Sequence, residues 1–151
     1  MITVYRFAPV QFTNDLSGEG ARLFGGRWNS QGFPAVYCSF TISLALVELF
    51  IHKRTYEEIK TNQLMEIEIG SAVDVMIDFK KLKPYWQQDE SYCQFMGNEF
   101  LSDKNRLALK VPSSVIEQEL NVVLNPLAKD FSKKIKIKKV STFNFDNRLF
   151  K

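Results

Sequence analysis

Gln63-Leu64-Met65-Glu66-Ile67-Glu68-Ile69-Gly70 places Leu64, Glu66 and Glu68 on one side of the chain and Met65, Ile67 and Ile69 on the other. That period of two predicts a strand, and the pattern recurs outward from it. Ile2–Phe7, Pro34–Ser39 around Ala35-Val36-Tyr37, and Val73–Ile77 read as strands. So do Leu107–Val111, stopped by Pro112, and Asn121–Leu124, ended by Asn125-Pro126. Ile135–Val140 and Thr142–Phe145 close the chain. Two helices are predicted. One starts at a Thr41 or Ser43 cap and runs to about Lys53, with Leu44, Val47, Phe50 and Ile51 on its apolar face. The other opens at Pro84 and has its main body from about Glu90 to Leu101. Strands and helices mix without the βαβα rhythm of a doubly wound parallel sheet, so the class is α+β.

The 151 residues contain no repeat, low-complexity tract or linker, which predicts one domain over residues 1–151. A hydrophobic share of 45% supports a real core and argues against disorder. Thirteen phenylalanines predict that much of this core is aromatic. Net charge is +3, but Lys129–Lys151 alone carries +6. Its densest part, Lys133–Lys139, alternates: Ile135 and Ile137 share one face, and Lys134, Lys136 and Lys138 the other. An outer strand explains this better than a nucleic-acid patch, since edge lysines block strand-to-strand aggregation. Cys38 and Cys93 form no CxxC and no disulfide framework, and they read as buried free thiols. Without a signal peptide or a run of about 20 apolar residues, a cytoplasmic protein with no membrane partner is expected.

The segment Gly20-Ala21-Arg22-Leu23-Phe24-Gly25-Gly26-Arg27-Trp28-Asn29 sets a guanidinium after two glycines and before a large ring. Glycines admit close backbone approach, and arginine's planar fork matches phosphate or carboxylate. A surface turn explains the segment equally well. Glu48 is the lone charge in Leu44–Ile51, where its helical neighbours are also apolar; a buried carboxylate is costly unless paired or functional. Tyr37 lies between a strand and a helix, a place for either a ligand-facing ring or a core residue. Ser113 follows Pro112 and could simply cap the next turn. His52 is the only histidine, and no metal motif, P-loop, GxGxxG or GxSxG is present.

Taken together, these segments resemble the RES domain family, named for a shared arginine, glutamate and serine. The match includes Tyr5-Arg6, Gly18–Asn29, Pro34–Tyr37, Ser43–Glu48, Leu109–Val115, Asn121–Pro126 and Phe145–Leu149. The chain departs from the family pattern at Ala128-Lys129, where a His-Pro pair is usual, and at Phe100, where tryptophan is usual. The resemblance implies an ADP-ribosyltransferase-like fold of mixed sheets with a few helices. It implies a type II toxin that degrades NAD by cleaving the nicotinamide–ribose bond, or alternatively one that transfers ADP-ribose to a host protein. NAD is then substrate, and no cofactor or metal is required. By the same resemblance Arg27, Tyr37, Glu48 and Ser113 are catalytic. Arg27, Trp28, Tyr37 and Ser113 contact NAD, with Ser113 at its nicotinamide riboside end. The implied partner is an Xre-type helix-turn-helix antitoxin that supplies the DNA contact, so that the toxin touches no nucleic acid directly; a homodimer is compatible with this.

Overall fold

A computed structural model describes residues 1–53, 55–70, 75–76 and 81–150. Seven strands, β1 (Ile2–Pro9), β2 (Val36–Ser39), β3 (Asn62–Ile69), β4 (Val75–Met76), β5 (Ala108–Pro112), β6 (Leu120–Leu124) and β7 (Ile135–Thr142), form one sheet. Its order is β4-β5-β6-β2-β1-β3-β7. Pairing is antiparallel throughout except for the parallel β4–β5 contact. The class is therefore α+β with a mixed sheet, as expected. The helices are α1 (Glu19–Phe24), α2 (Ile42–His52), α3 (Tyr56–Ile59), α4 (Glu90–Leu101) and α5 (Phe131–Lys134). Among the described residues no helix is long and apolar enough to cross a membrane.

The sheet is almost cut in two. β1 pairs with β3 in unbroken register from Ile2↔Ile69 to Pro9↔Asn62, but meets β2 only at Tyr5↔Ser39. In one half, β5-β6-β2 is covered on both faces. Val36, Cys38, Ala108, Val122 and Leu124 enter one apolar cluster; Leu109, Val111 and Val123 enter the other, with Trp28, Trp86, Phe100 and Leu101. Double burial explains why β5 and β6 read as nearly continuous apolar runs while β3 alternates. α2 begins at Thr41, whose Oγ1 accepts from the Leu44 N–H at 3.1 Å, and it buries Leu44 and Ala45. α4 starts where Asp89 accepts from the Tyr92 N–H.

Several expectations change. β1 runs on past Phe7 to Pro9, and a short helix that was not predicted, α1, follows Gly18, whose φ of 72° suits glycine. Phe143–Phe145 is not a strand, because β7 is a single strand ending at Thr142. Of the Val73–Ile77 segment, only Val75 and Met76 lie within the described residues, as β4. The core is mainly aliphatic; among the described phenylalanines only Phe100 and Phe145 are buried. Some of the others form peripheral ring contacts, such as Phe7 with Phe143 and Phe50 with Phe150. Ile51 is exposed rather than part of the apolar face of α2. β7 is an edge strand with Ile135 buried and Lys136, Lys138 and Lys139 exposed, while Lys134 closes α5 instead of joining the strand. A register shift opposite Glu66/Ile67 interrupts the alternation at Lys138, which pairs with Glu68 at 3.8 Å. Cys38 and Cys93 are free and buried, as expected; burial pushes the Cys38 thiol up to about 12.

Candidate active site

A cavity of about 480 Å³ opens where β1 and β2 diverge. Strand parity brings side chains to it. Tyr37 and Ser39 share one face of β2, and Asn121 lies across from Ser39 on β6. Ser113 continues the face of Leu109 and Val111 just beyond β5. α2 contributes Glu48 and, one turn later, His52. The 25–28 loop contributes Gly26 and Arg27, and Glu90 enters from the start of α4.

Glu48 is half-buried and held at one oxygen. Its Oε1 accepts from Ser113 Oγ at 2.8 Å and from Asn121 Nδ2 at 3.0 Å. Ser39 Oγ in turn donates to Asn121 Oδ1 at 2.6 Å. Ser113 is wholly buried, and its Oγ also accepts from the Val115 and Ile116 N–H groups, each at 3.1 Å. The serine caps the turn, as its position after Pro112 suggested, and it also anchors Glu48. In this arrangement its single proton goes to Glu48.

Arg27 Nη1 donates to the Gln87 carbonyl at 2.7 Å. That carbonyl belongs to a 3-10 turn, Trp86–Gln88, fixed by packing of Trp86 on Trp28, ring centroids 5.8 Å apart. Trp28 is only 2% exposed; it lines the cavity and braces the wall that carries Arg27. The Tyr37 hydroxyl donates to Asn29 Oδ1 at 2.6 Å and accepts from the Trp28 N–H at 2.9 Å, which ties the loop to β2. Burial drives its pKa well above the usual phenol value, so it stays protonated. A Cβ on Gly26 would lie 2.8 Å from that hydroxyl; the second glycine is a contact requirement. Asn29 is itself buried and donates to the Ala21 and Phe33 carbonyls.

The structure thus brings Arg27, Trp28, Tyr37 and Glu48 to one cavity and places Ser113 next to Glu48 outside the lining. Sequence reasoning passed over four further residues. Arg6 lines the cavity and has a buried Nε without a hydrogen-bond partner among the described residues. His52 stands four residues after Glu48, a spacing that already puts both on one helical face. Ser39 and Asn121 gave no signal without the strand register.

The RES domain model matches residues 3–146. The chain belongs to the RES domain family. This RES domain is 38% identical to "Toxin Res" of Photorhabdus laumondii, over 98% of this chain and 97% of that protein. It is 29% identical to the "Prs ADP-ribosylating toxin" of a Sphingobium species, over 91% and 88% of the two chains. The crystal structure of the Mycobacterium tuberculosis MbcT–MbcA toxin–antitoxin complex contains a chain with the same fold. The TM-score is 0.78, the identity 23%, and the match covers 95% of this chain and 84% of that one. A 48-residue stretch is 46% identical to the mycobacterial "NAD(+) phosphorylase MbcT", covering 31% of this chain and 25% of that protein.

Proposed function

We propose that this RES domain is the toxin of a toxin–antitoxin pair and acts in the cytoplasm by breaking the nicotinamide–ribose bond of NAD. The observation that carries the reading is Glu48, a carboxylate with one oxygen fixed by Ser113 and Asn121, set in a cavity that Arg27 also lines. Bond breaking sends the electron pair with nicotinamide, which leaves neutral, and positive charge builds on the ribose. A fixed carboxylate in a site shielded from water stabilises that charge. No strong acid is needed for the leaving group. Arg27 holds the diphosphate with the guanidinium edge that Gln87 does not use, and Arg6 adds a second cation on the same cavity. Water or inorganic phosphate then adds to the ribose and gives its proton to solvent. The names of relatives, a phosphorylase among them, favour this substrate. Transfer of ADP-ribose to a protein is the second reading, favoured by the likeness to the Prs-modifying toxin.

The test is nicotinamide release from NAD by the purified protein, with and without inorganic phosphate, alongside Glu48→Gln. The amide keeps shape but loses charge. A loss of about 3–4 kcal/mol of transition-state stabilisation lowers turnover roughly 10²–10³-fold. NAD that stays intact under both conditions while cells expressing the protein still stop growing would move the reading to a protein acceptor. An antitoxin of the Xre helix-turn-helix type is the proposed partner; co-expression of the neighbouring gene product is expected to restore both NAD and growth.

A further inference from the structure

Glu48 meets a chain of three polar side chains, and hydrogen-bond logic gives that chain a direction. A carboxylate only accepts, so Asn121 must present its NH2 group to Glu48. Its Oδ1 then faces Ser39, whose hydroxyl becomes the donor, at 2.6 Å. Ser113 donates from the other side and is itself pinned by two backbone N–H groups. Ser39 and Ser113 are buried, at 3% and 0% exposure. Buried polar groups are costly unless satisfied, and each of these is satisfied only by the others or by backbone. The backbone register Ser39↔Asn121 is made without the side chains, so the side-chain bonds are not needed to pair β2 with β6. Among the described residues, Glu48 Oε2 takes no hydrogen bond.

We propose that Asn121 and Ser39 are positioning residues: the Ser39–Asn121–Glu48 chain, closed by Ser113, fixes Oε1 as an anchor and leaves Oε2 as the oxygen offered to the ribose. This rests on the reading of Glu48 as the carboxylate that faces the developing charge. Ser39 also forms the only register pair between β1 and β2, so the same residue sets the cavity mouth and the carboxylate's angle.

The decisive variant is Asn121→Asp, isosteric but ionisable. It places a second carboxylate about 3 Å from Glu48, and two such groups share a proton rather than both ionise. Nicotinamide release from NAD at neutral pH is expected to fall at least tenfold and to recover as pH rises, with the acid limb of the kcat profile displaced upward. Ser39→Ala is expected to lower kcat about tenfold with KM for NAD little changed, since small misplacements of a reacting group are costly. A carboxyl-carbon NMR titration of Glu48, assigned with Glu48→Gln, reads the same coupling without substrate. One step is expected in the parent and two separated steps in the Asn121→Asp protein. An unchanged pH profile and an unchanged Glu48 titration in Asn121→Asp overturn the proposal, as does a parental kcat in Ser39→Ala should Asn121→Asp fail to fold. An active Glu48→Gln protein instead overturns the reading on which it rests.

Discussion

At the scale of single residues, the guanidinium of Arg27 has five N–H donors in a rigid fork. One is committed to the Gln87 carbonyl and the Cys93 thiol also meets the group, which fixes the plane; the donors not so engaged are those offered to an anion. Lysine has one ammonium and no second edge, so Arg27→Lys must choose between the carbonyl and the ligand. KM for NAD is expected to rise at least about tenfold in Arg27→Lys, equivalent to ~1.4 kcal/mol, and no less in Arg27→Ala. A lysine variant with the parent's KM would show that Arg27 acts as a point charge. The legibility of such residues in the sequence follows from how unusual each is locally. Glu48 showed as a lone charge in an apolar run, and Arg27 as a cation between glycines and tryptophan. Ser39 and Asn121 are ordinary polar residues near strand ends, and only the pairing of β2 with β6 makes them neighbours. Ser113 was visible as a cap, but its second bond crosses to a helix 65 residues away.

At the scale of elements, local signals set the boundaries best where they are strong. α4 runs over Glu90–Leu101 as predicted because Asp89 caps it and the sequence beyond Leu101 turns polar. α1 escaped notice because six residues that include Gly20 have little intrinsic helicity; its shape depends on the surrounding loop. α4 also holds the Arg27 loop in place by close backbone contact. A Cβ on Gly97 would fall 1.7 Å from the Trp28 carbonyl oxygen, and backbone cannot turn aside as a flexible side chain can. Gly97→Ala is therefore expected to push α4 off the loop. Overpacking of this kind costs about 1–3 kcal/mol or more, read as a lower melting temperature. It also displaces Trp28 and so the support of Arg27, and NAD turnover is expected to fall further than stability alone explains. Normal melting and normal turnover in Gly97→Ala would mean that the helix and loop slide freely past one another.

At the scale of the whole molecule, the site sits on the weakest joint of the sheet. β1, β3 and β7 form one continuous ladder and β2, β6 and β5 another, with Tyr5↔Ser39 as the single register pair between them. Residues on both sides of that joint line the cavity: Tyr5, Arg6 and Phe7 from β1, and Tyr37 and Ser39 from β2. A ligand seated there bridges two ladders that the backbone barely connects. Binding to the folded state alone adds stability by mass action, about 2.7 kcal/mol at a ligand concentration 100 times Kd. Local opening is cheapest where few backbone bonds must break, so the added protection concentrates at the joint. In the Glu48→Gln protein, whose turnover is expected to be roughly 10²–10³-fold slower, saturating NAD is expected to slow amide hydrogen exchange at Tyr5–Phe7, Tyr37–Ser39 and Asn121. Exchange along the β3–β7 ladder should change least, because those strands already pair along most of their length, on both sides of the Glu66/Ile67 shift, and line none of the cavity. Uniform slowing across the molecule would instead reflect suppression of global unfolding alone. Protection confined to α4 and the 25–28 loop would place the ligand on one ladder and leave the joint without a role in binding.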